Sequence, residues 1–172
     1  MLTAIVCASY NFPNMGKKQR TEFIARGLLV HKGQVLCCRN IKSGYCFLPG
    51  GHIEFGEKAA DALSREFKEE TGLDSTIGPL LLTTEQCFND GKKVHHELNV
   101  VFHVEQLGPA QTPPDNVPTI EEKIDFVWVD LAQIPESDVR PHEIKAWLMS
   151  GGATCDSSGP WLSGFEPQSD SL

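Results

Sequence analysis

The segment from Gly51 to Leu73 restricts the fold of this chain more than any other part of its sequence. A run of proline and two glycines ends at Gly51, which breaks regular structure and lets the backbone approach a ligand closely. Beyond this run, apolar residues recur with the period of an amphipathic helix. We therefore predict a loop over 52–56 and a helix from about Lys58 to Thr71, with Gly72 at its C-terminal end.

Three glutamates, Glu66, Glu69 and Glu70, share one face of this predicted helix, beside its apolar stripe. At about 100° per residue they are close enough for their like charges to repel one another. Ordinary stability does not favour such crowding, so a bound divalent cation is the explanation we favour. Without a cation, at least one of these carboxyl groups should have a raised pKa. The alternative is a solvated helix face with salt bridges from Arg65 and Lys68.

The specified residues of this segment and their spacing resemble the Nudix box, the signature of the Nudix hydrolases. All nine specified positions are filled, in the order Gly51, Glu57, Arg65-Glu66-Phe67, Glu69-Glu70 and Gly72-Leu73. Phe67 occupies a position that is usually aliphatic, and Cys46 stands where relatives often carry tryptophan. Neither change affects a proposed ligand, and the resemblance extends more loosely from about Arg26 to Leu148.

The resemblance implies a metal site and gives roles to residues of the box. Its ligands would be Glu66, Glu69, Glu70 and the backbone carbonyl of Gly50 or Gly51, around Mg²⁺ or alternatively Mn²⁺. Arg65 would orient the glutamates. Glu57, at the helix N-terminus, would steady the loop or reach a second metal.

A further acid outside the box is expected to act as a metal ligand or as the general base. Relatives often carry this acid in a loop before a late strand that contains tryptophan, and here Glu121 and Glu122 precede Phe126–Trp128. We choose Glu122, while Glu66 and Glu121 stay open as the base. Weaker candidates, on strands near the expected cleft, are Glu85 and Glu97.

The candidates for binding substrate outside the box are Arg26, Arg39 and His96. A guanidinium group suits phosphate because it donates paired hydrogen bonds to it. His96 would contact a base or a phosphate, and it must point away from His95 because neighbouring side chains on a strand alternate between faces. The alternatives are an arginine that only caps its strand, for Arg26, and an ordinary surface histidine.

The rest of the chain predicts strands around this helix, bounded by turn residues. These strands are Phe23–Val30, Val35–Arg39, Tyr45–Leu48, Leu80–Phe88, Val94–Val104 and Phe126–Val129, the first two forming a hairpin. A last helix should begin near Pro141, capped by Ser137 or Asp138, and end by Gly151. The family resemblance implies how these elements are arranged: an α/β fold, the Nudix α/β/α sandwich with a mixed β-sheet between helices.

Composition limits the class of protein. The 172 residues suit one domain, and a formal net charge of −8 argues against general nucleic-acid binding. A small phosphorylated substrate is compatible with this charge because a metal can bridge two negative partners. The six cysteines lack zinc-like spacing. The apolar start, Met1–Ala8, is too short for a membrane span and lacks the basic start of a secretory signal, so we expect a cytoplasmic protein with no membrane partner.

The domain boundaries follow from composition. We expect an irregular N-terminal extension over 1–20, a Nudix domain over 21–150 and a flexible Gly/Ser-rich tail over 151–172. Trp161 and Phe165 are candidate anchors of the tail, either onto this chain or onto a second copy in a homodimer.

The implied activity is Mg²⁺-dependent hydrolysis of a diphosphate linkage. The substrate stays open between a nucleoside diphosphate joined to another group, such as a nucleotide sugar or an ADP-ribose-like molecule, and a nucleoside triphosphate. Segment 80–94 lacks the proline typical of ADP-ribose hydrolases and the tyrosine typical of dinucleoside-polyphosphate enzymes. The alternatives are an RNA 5′-pyrophosphohydrolase and a non-catalytic Nudix domain that senses a nucleotide-like ligand.

Overall fold

The computed structural model describes residues 18–110, 112–152 and 161–163. In chain order the elements within these ranges are β1 (Lys18–Leu28), β2 (Val30–His31), β3 (Gln34–Asn40), β4 (Cys46–Phe47), α1 (Ala59–Thr71), β5 (Ser75–Asn89), β6 (Lys93–Leu107), β7 (Ile124–Asp130), a 3₁₀ helix (Leu131–Glu136), α2 (His142–Trp147) and β8 (Trp161–Ser163). A five-residue turn, Leu148–Gly152, continues α2.

The strands form two four-stranded sheets. The first has the order β1-β6-β5-β8, with β1 parallel to β6, β5 antiparallel to β6 and β8 parallel to β5. In the second sheet β3 pairs with β2, β4 and β7, all antiparallel. The first sheet is therefore mixed, as expected. The difference from the prediction is that the strands divide between two sheets.

The glycine run before α1 lies against the outer edge of β1. The backbone N–H of Ala25 donates to the Gly51 carbonyl at 2.9 Å, and the N–H of Ile53 donates to the Phe23 carbonyl at 2.8 Å. Between these bonds, His52 forms an isolated antiparallel bridge with Ile24. The box loop is thus held in register with the first sheet before the helix begins.

The two helices cover opposite faces of the sheets. Helix α1 packs Leu63 and Phe67 against one core, which contains Leu36 of β3. Helix α2 packs Ile144 against the other core, which contains Val35, the neighbour of Leu36 on the same strand. Because adjacent side chains of a strand point to opposite faces, the helices lie on either side of the sheet layer. The α/β/α architecture is confirmed.

Helix α1 approaches β1 closely at Gly27. A Cβ atom at this position would lie 2.8 Å from Cγ2 of Val104 and 2.9 Å from Cε2 of Phe67. Both neighbours are fully or almost fully buried. We expect Gly27→Ala to lower the free energy of unfolding by about 1–3 kcal/mol, because overpacking forces buried side chains to shift. Urea unfolding checks the value.

A matched control for this substitution is Gly78→Ala. The new Cβ atom would meet the Glu105 carboxyl group at 2.7 Å, at the far end of a flexible side chain that can move away. Its cost should therefore be small. Equal losses of stability in the two variants would contradict the close packing of α1 on β1.

Several predicted boundaries are wrong. Strand β1 begins at Lys18, inside the segment expected to be irregular. It pairs with β6 and not in the predicted hairpin, which consists only of β2 and β3. Strand β5 begins at Ser75 rather than at the predicted Leu80, and its register with β6 is irregular around Gly78-Pro79. Helix α2 begins directly after Pro141, as predicted, but no side chain caps it, so the expected cap by Ser137 or Asp138 is wrong. The 3₁₀ helix that precedes α2 was not predicted.

The tail contributes one strand. The backbone of β8 pairs with residues 83–85 of β5, so the expectation of a flexible extension is wrong there, and at Trp161 the tail is anchored on this chain. Phe165, Cys7 and Cys155 lie outside the described residues. Cys37 and Cys38 are free and buried, whereas Cys46 and Cys87 are free and half-buried. Among the described helices, none has the length and apolar character needed to cross a membrane.

Candidate active site

Arg65 connects three of the box glutamates. Its Nε and Nη2 atoms donate to the two carboxylate oxygens of Glu57 at 2.9 and 3.1 Å. Its Nη1 atom donates to Glu66 at 2.9 Å and to Glu69 at 3.1 Å. Its Nη2 atom also donates to the backbone carbonyl of His52 at 3.0 Å. One guanidinium group therefore orients the acids of the loop and of α1.

The charges in this network reinforce one another. Hydrogen bonds from Arg65 and from the Glu54 backbone lower the pKa of Glu57. The bond to Glu57 in turn raises the pKa of the Arg65 guanidinium. Lys68 pairs with Asp74 at 2.9 Å, so the salt bridges expected for an ordinary solvated helix face are present only in part.

Glu70 is the exceptional acid of the group. Its side chain is buried, with 8% of the residue exposed, and its Oε2 atom has no hydrogen-bond partner among the described residues. Burial, followed by the charge of Glu66, raises its pKa to about 8, and the charges of Glu121 and Glu69 act in the same direction. The expectation that one crowded carboxyl group has a raised pKa is confirmed.

The donor set fits a divalent cation. As they are placed, no three His, Cys, Asp or Glu side chains in the described part of the chain form a metal site. Glu66 and Glu69 bond to Arg65 instead. Yet Glu70 carries a buried oxygen without a partner, and a Cβ atom on Gly51 would collide with the Glu66 carboxyl group. Crowded carboxylates beside an open glycine match the oxygen ligands that Mg²⁺ prefers.

The two glycine carbonyls differ in what they already bind. The Gly51 carbonyl accepts the sheet hydrogen bond from Ala25. The Gly50 carbonyl accepts from Nη1 of Arg26 at 2.9 Å. A carbonyl oxygen has two lone pairs, and each of these two accepts one hydrogen bond, so either can still offer a lone pair to a metal. Gly50 and Gly51 therefore both stay candidates for the carbonyl ligand.

A second polar cluster lies beside the box loop, and we call its members, Arg20, Glu22, His52, Asp90 and His95, the Glu22 cluster. Glu22 is buried and accepts hydrogen bonds from His52 at 2.8 Å and from His95 at 2.5 Å. This cluster could not be predicted because the three segments that supply it, 20–22, His52 and 90–95, are far apart along the chain. Only the pairing of β1 with β6, and of the loop with β1, brings them together.

A family model described as the NUDIX domain matches residues 20–148 of this chain. The chain belongs to the NUDIX family. Its segment Gly51–Leu73 is the Nudix box, and the site described above is built on the loop and helix of that box.

A curated relative agrees with this membership. The chain is 33% identical over 92 residues to the ADP-ribose pyrophosphatase of Methanocaldococcus jannaschii, a match that covers 53% of this chain and 50% of the relative. The chain thus spans about half the length of this curated relative.

Solved structures share the fold. The E. coli ORF135 protein superposes with a TM-score of 0.59 at 20% identity, over 86% of this chain and 100% of that one. The MutT protein of Bacillus halodurans superposes with a TM-score of 0.62 at 18% identity, over 83% and 89%. The MutT NUDIX hydrolase of Burkholderia pseudomallei has a TM-score of 0.58 at 18% identity, over 76% and 97%. At these identities the likeness establishes the fold alone.

Arg26 lies against the Nudix loop. It donates to the carbonyls of Gly50 and Leu48, the latter at 3.3 Å, and its Nε donates to Oδ1 of Asn99 at 3.3 Å. Its guanidinium carbon is 5.2 Å from the centre of the Phe47 ring. These bonds support the backbone of the loop, a role that the sequence did not suggest.

The other candidates outside the Nudix box are distributed over both sheets. Arg39 pairs with Asp125 at 2.9 Å across β3 and β7. His96 lies 3.8 Å from Glu85 on β5, whereas His95 points to the other face, as predicted. Glu97 accepts from Gln86 at 2.8 Å. Glu85 and Glu97 thus interact within the β5–β6 hairpin, and we leave them out of the proposed site.

The loop acids before β7 are brought towards α1. The backbone N–H of Ile120 donates to the Glu70 carbonyl at 2.7 Å, which ties this loop to the last turn of α1. Glu121 is close enough for its charge to raise the pKa of Glu70. Of the pair Glu121 and Glu122, it is therefore Glu121 that has an electrostatic connection to the box glutamates.

Proposed function

We propose that this chain is a divalent-metal-dependent Nudix pyrophosphohydrolase. The observation that carries the proposal is Glu70, a buried carboxyl group with a partnerless oxygen and a pKa raised to about 8, crowded by Glu66 and Glu69. A cation at this position would remove the repulsion and give the oxygen a partner. Mg²⁺ is the cation we propose, with Mn²⁺ as an alternative.

Each residue of the site would have its own role in metal binding or in proton transfer. Glu66, Glu69, Glu70 and the carbonyl of Gly50 or Gly51 would hold the metal, which when bound would polarise a phosphoryl oxygen and lower the pKa of water. Arg65 would keep the glutamates oriented through the bonds described above, and Glu57 would hold Arg65. A carboxylate would act as the general base and accept the proton of the attacking water, and the candidates are Glu66, Glu121 and Glu122.

The substrate we propose is a nucleoside diphosphate joined to another group, or a nucleoside triphosphate. The relative named ADP-ribose pyrophosphatase supports the first of these classes. Arg39, with about half of its side chain exposed, and His96 would contact the substrate. Arg26 would contribute to substrate binding as well, through the loop that it supports.

We further propose that the protein is cytoplasmic and that residues 21–150 form its Nudix domain. A homodimer stays an alternative.

The test is a substrate panel. The full chain is incubated with Mg²⁺ or Mn²⁺ and, separately, with nucleoside triphosphates, ADP-ribose, nucleotide sugars, dinucleoside polyphosphates and 5′-triphosphorylated RNA. We expect metal-dependent release of a nucleoside monophosphate from at least one small substrate. Chromatography of the reaction mixture identifies the products. Binding of a panel member without turnover would instead identify a sensor domain, and turnover confined to RNA would identify the 5′-end activity.

A further inference from the structure

Glu22 is a buried carboxylate outside the Nudix box that collects three donors. Its Oε1 accepts from Nε2 of His52 at 2.8 Å and from Nε of Arg20 at 3.1 Å, and its Oε2 accepts from Nδ1 of His95 at 2.5 Å. Burial on its own would raise the pKa of Glu22, but the bonds from the two histidines and the charge of Arg20 lower it. The carboxylate is therefore charged, fully bonded and fixed in position.

On one side, Glu22 is joined to the Nudix loop. His52 directly follows Gly51, and its backbone carbonyl is the one that accepts from Arg65 at 3.0 Å. The side chain of the same residue is held by Glu22. A shift of His52 would therefore move an acceptor of the guanidinium group that orients Glu57, Glu66 and Glu69.

On the other side, Glu22 is joined to the turn between β5 and β6. His95 bonds through Nε2 to Asp90 at 3.2 Å and stacks on Phe88 with ring centres 4.8 Å apart. Asp90 accepts the backbone N–H groups of Lys92 and Lys93, each at 2.7 Å. His95 is thus fixed from three directions. The turn supplies a rigid anchor for Glu22.

Stability does not explain why a charge is buried here. Desolvating a carboxylate is costly, and apolar residues of similar volume would often serve a fold equally well. Partners of ligand-bearing groups, however, commonly fix their orientation, and removing them weakens metal binding about 10–100-fold. We propose that Glu22 is a positioning residue that fixes His52 and, through the His52 carbonyl, holds Arg65 and the metal-binding glutamates in place. This inference rests on the proposed function.

The test measures metal binding without substrate. Mn²⁺ is titrated into the full chain and free Mn²⁺ is followed by electron paramagnetic resonance. We expect Glu22→Gln to bind Mn²⁺ about tenfold more weakly than the unchanged chain, the lower end of the effect of direct partners of metal ligands, because Glu22 acts on the ligands through His52 and Arg65. In any turnover assay, the metal concentration for half-maximal rate should rise by a similar factor, with KM for substrate at saturating metal unchanged.

The matched control is Glu97→Gln. Glu97 also lies on the first sheet and accepts one short hydrogen bond, from Gln86, but it bonds within the hairpin rather than to the loop. This variant should bind Mn²⁺ within about threefold of the unchanged chain, well inside the effect expected at Glu22. Equal Mn²⁺ affinities for Glu22→Gln and Glu97→Gln would overturn the inference.

A second variant separates positioning from general support of the fold. The side chain of His52 is 53% exposed, so His52→Ala should fold even where Glu22→Gln does not. If Glu22 acts through His52, the double variant should bind Mn²⁺ no more weakly than the weaker single variant. Additive losses would refute the route through His52.

The two proposals fail in different ways. If the unchanged chain binds Mn²⁺ but hydrolyses no member of the substrate panel, the proposed function is wrong while the comparison of variants still stands. If the chain hydrolyses a substrate but Glu22→Gln binds Mn²⁺ normally, only the role of Glu22 is wrong. A chain that binds no Mn²⁺ overturns both.

Discussion

A Glu69→Gln variant is expected to lose turnover about a thousandfold, because a metal ion contributes several kcal/mol of transition-state stabilisation and each 1.4 kcal/mol is tenfold in rate. The side chain of Glu69 is 60% exposed and bonds to Arg65 at one oxygen. Its loss leaves the bonds of Arg65 to Glu57 and Glu66 in place. The fold should therefore survive, so that the change in kcat reports on the metal site alone. Steady-state kinetics at saturating Mg²⁺ measures the loss.

The control is Asp61→Asn, at the other end of the same helix. Asp61 lies in the first turn of α1, so this variant also removes one acidic charge from the helix. Its kcat should stay close to that of the unchanged chain. If Glu69→Gln kept full activity, the proposed ligand set would be wrong. Similar losses in both variants would point to the charge of the helix rather than to a metal ligand.

The second large effect is a pH dependence of the metal-free fold. The pKa of Glu70 is raised to about 8 in the folded chain from an ordinary value of 4.5. Between these values the folded chain binds more protons than the unfolded chain, so stability falls as pH rises. We expect the free energy of unfolding in a metal chelator to fall by a few kcal/mol from about pH 5 to pH 8. Urea unfolding at intermediate pH values measures this slope.

Two comparisons assign the slope to Glu70. The pKa of His95 is also raised, by its bond to Glu22, so its stabilisation is present at low pH and is lost at higher pH in the same direction. Glu70→Gln removes the contribution of Glu70 and leaves that of His95, and it should flatten most of the curve. Added Mn²⁺ should restore stability at pH 8 in the unchanged chain. If the slope is the same in Glu70→Gln, ionisation of Glu70 does not lower the free energy of unfolding.

The parts of the structure that could be predicted are local. Helix α1 begins at Ala59, one residue from its predicted start, and ends where Gly72 adopts a left-handed conformation with φ of 74°. The period of the apolar residues and the conformational freedom of glycine are both properties of neighbouring residues. For the same reason, the shared face of the three glutamates and the opposite directions of His95 and His96 followed from the sequence.

The parts that could not be predicted depend on distant pairing. The partner of β1 is β6, whose paired residues lie 75 positions later in the chain, and nothing near β1 indicates that choice. The support of the Gly50 carbonyl by Arg26, and the hydrogen bonds of Glu22, exist only after that pairing has formed. The contacts of the site that depend on distant strands therefore could not be predicted from the sequence. The residues within the Nudix box could be.

The short strand β8 has a consequence for how copies of this chain can meet. A sheet that ends in an unpaired strand offers a row of free backbone groups to any other extended chain. Here residues 83–85 of β5 already bond to the chain's own tail at Trp161–Ser163. A neighbouring molecule that pairs with these three residues must first displace the chain's own tail, which is present at high effective concentration. At this part of β5 the outermost strand is then only three residues long, and very short edge strands are one way in which proteins limit pairing with other chains.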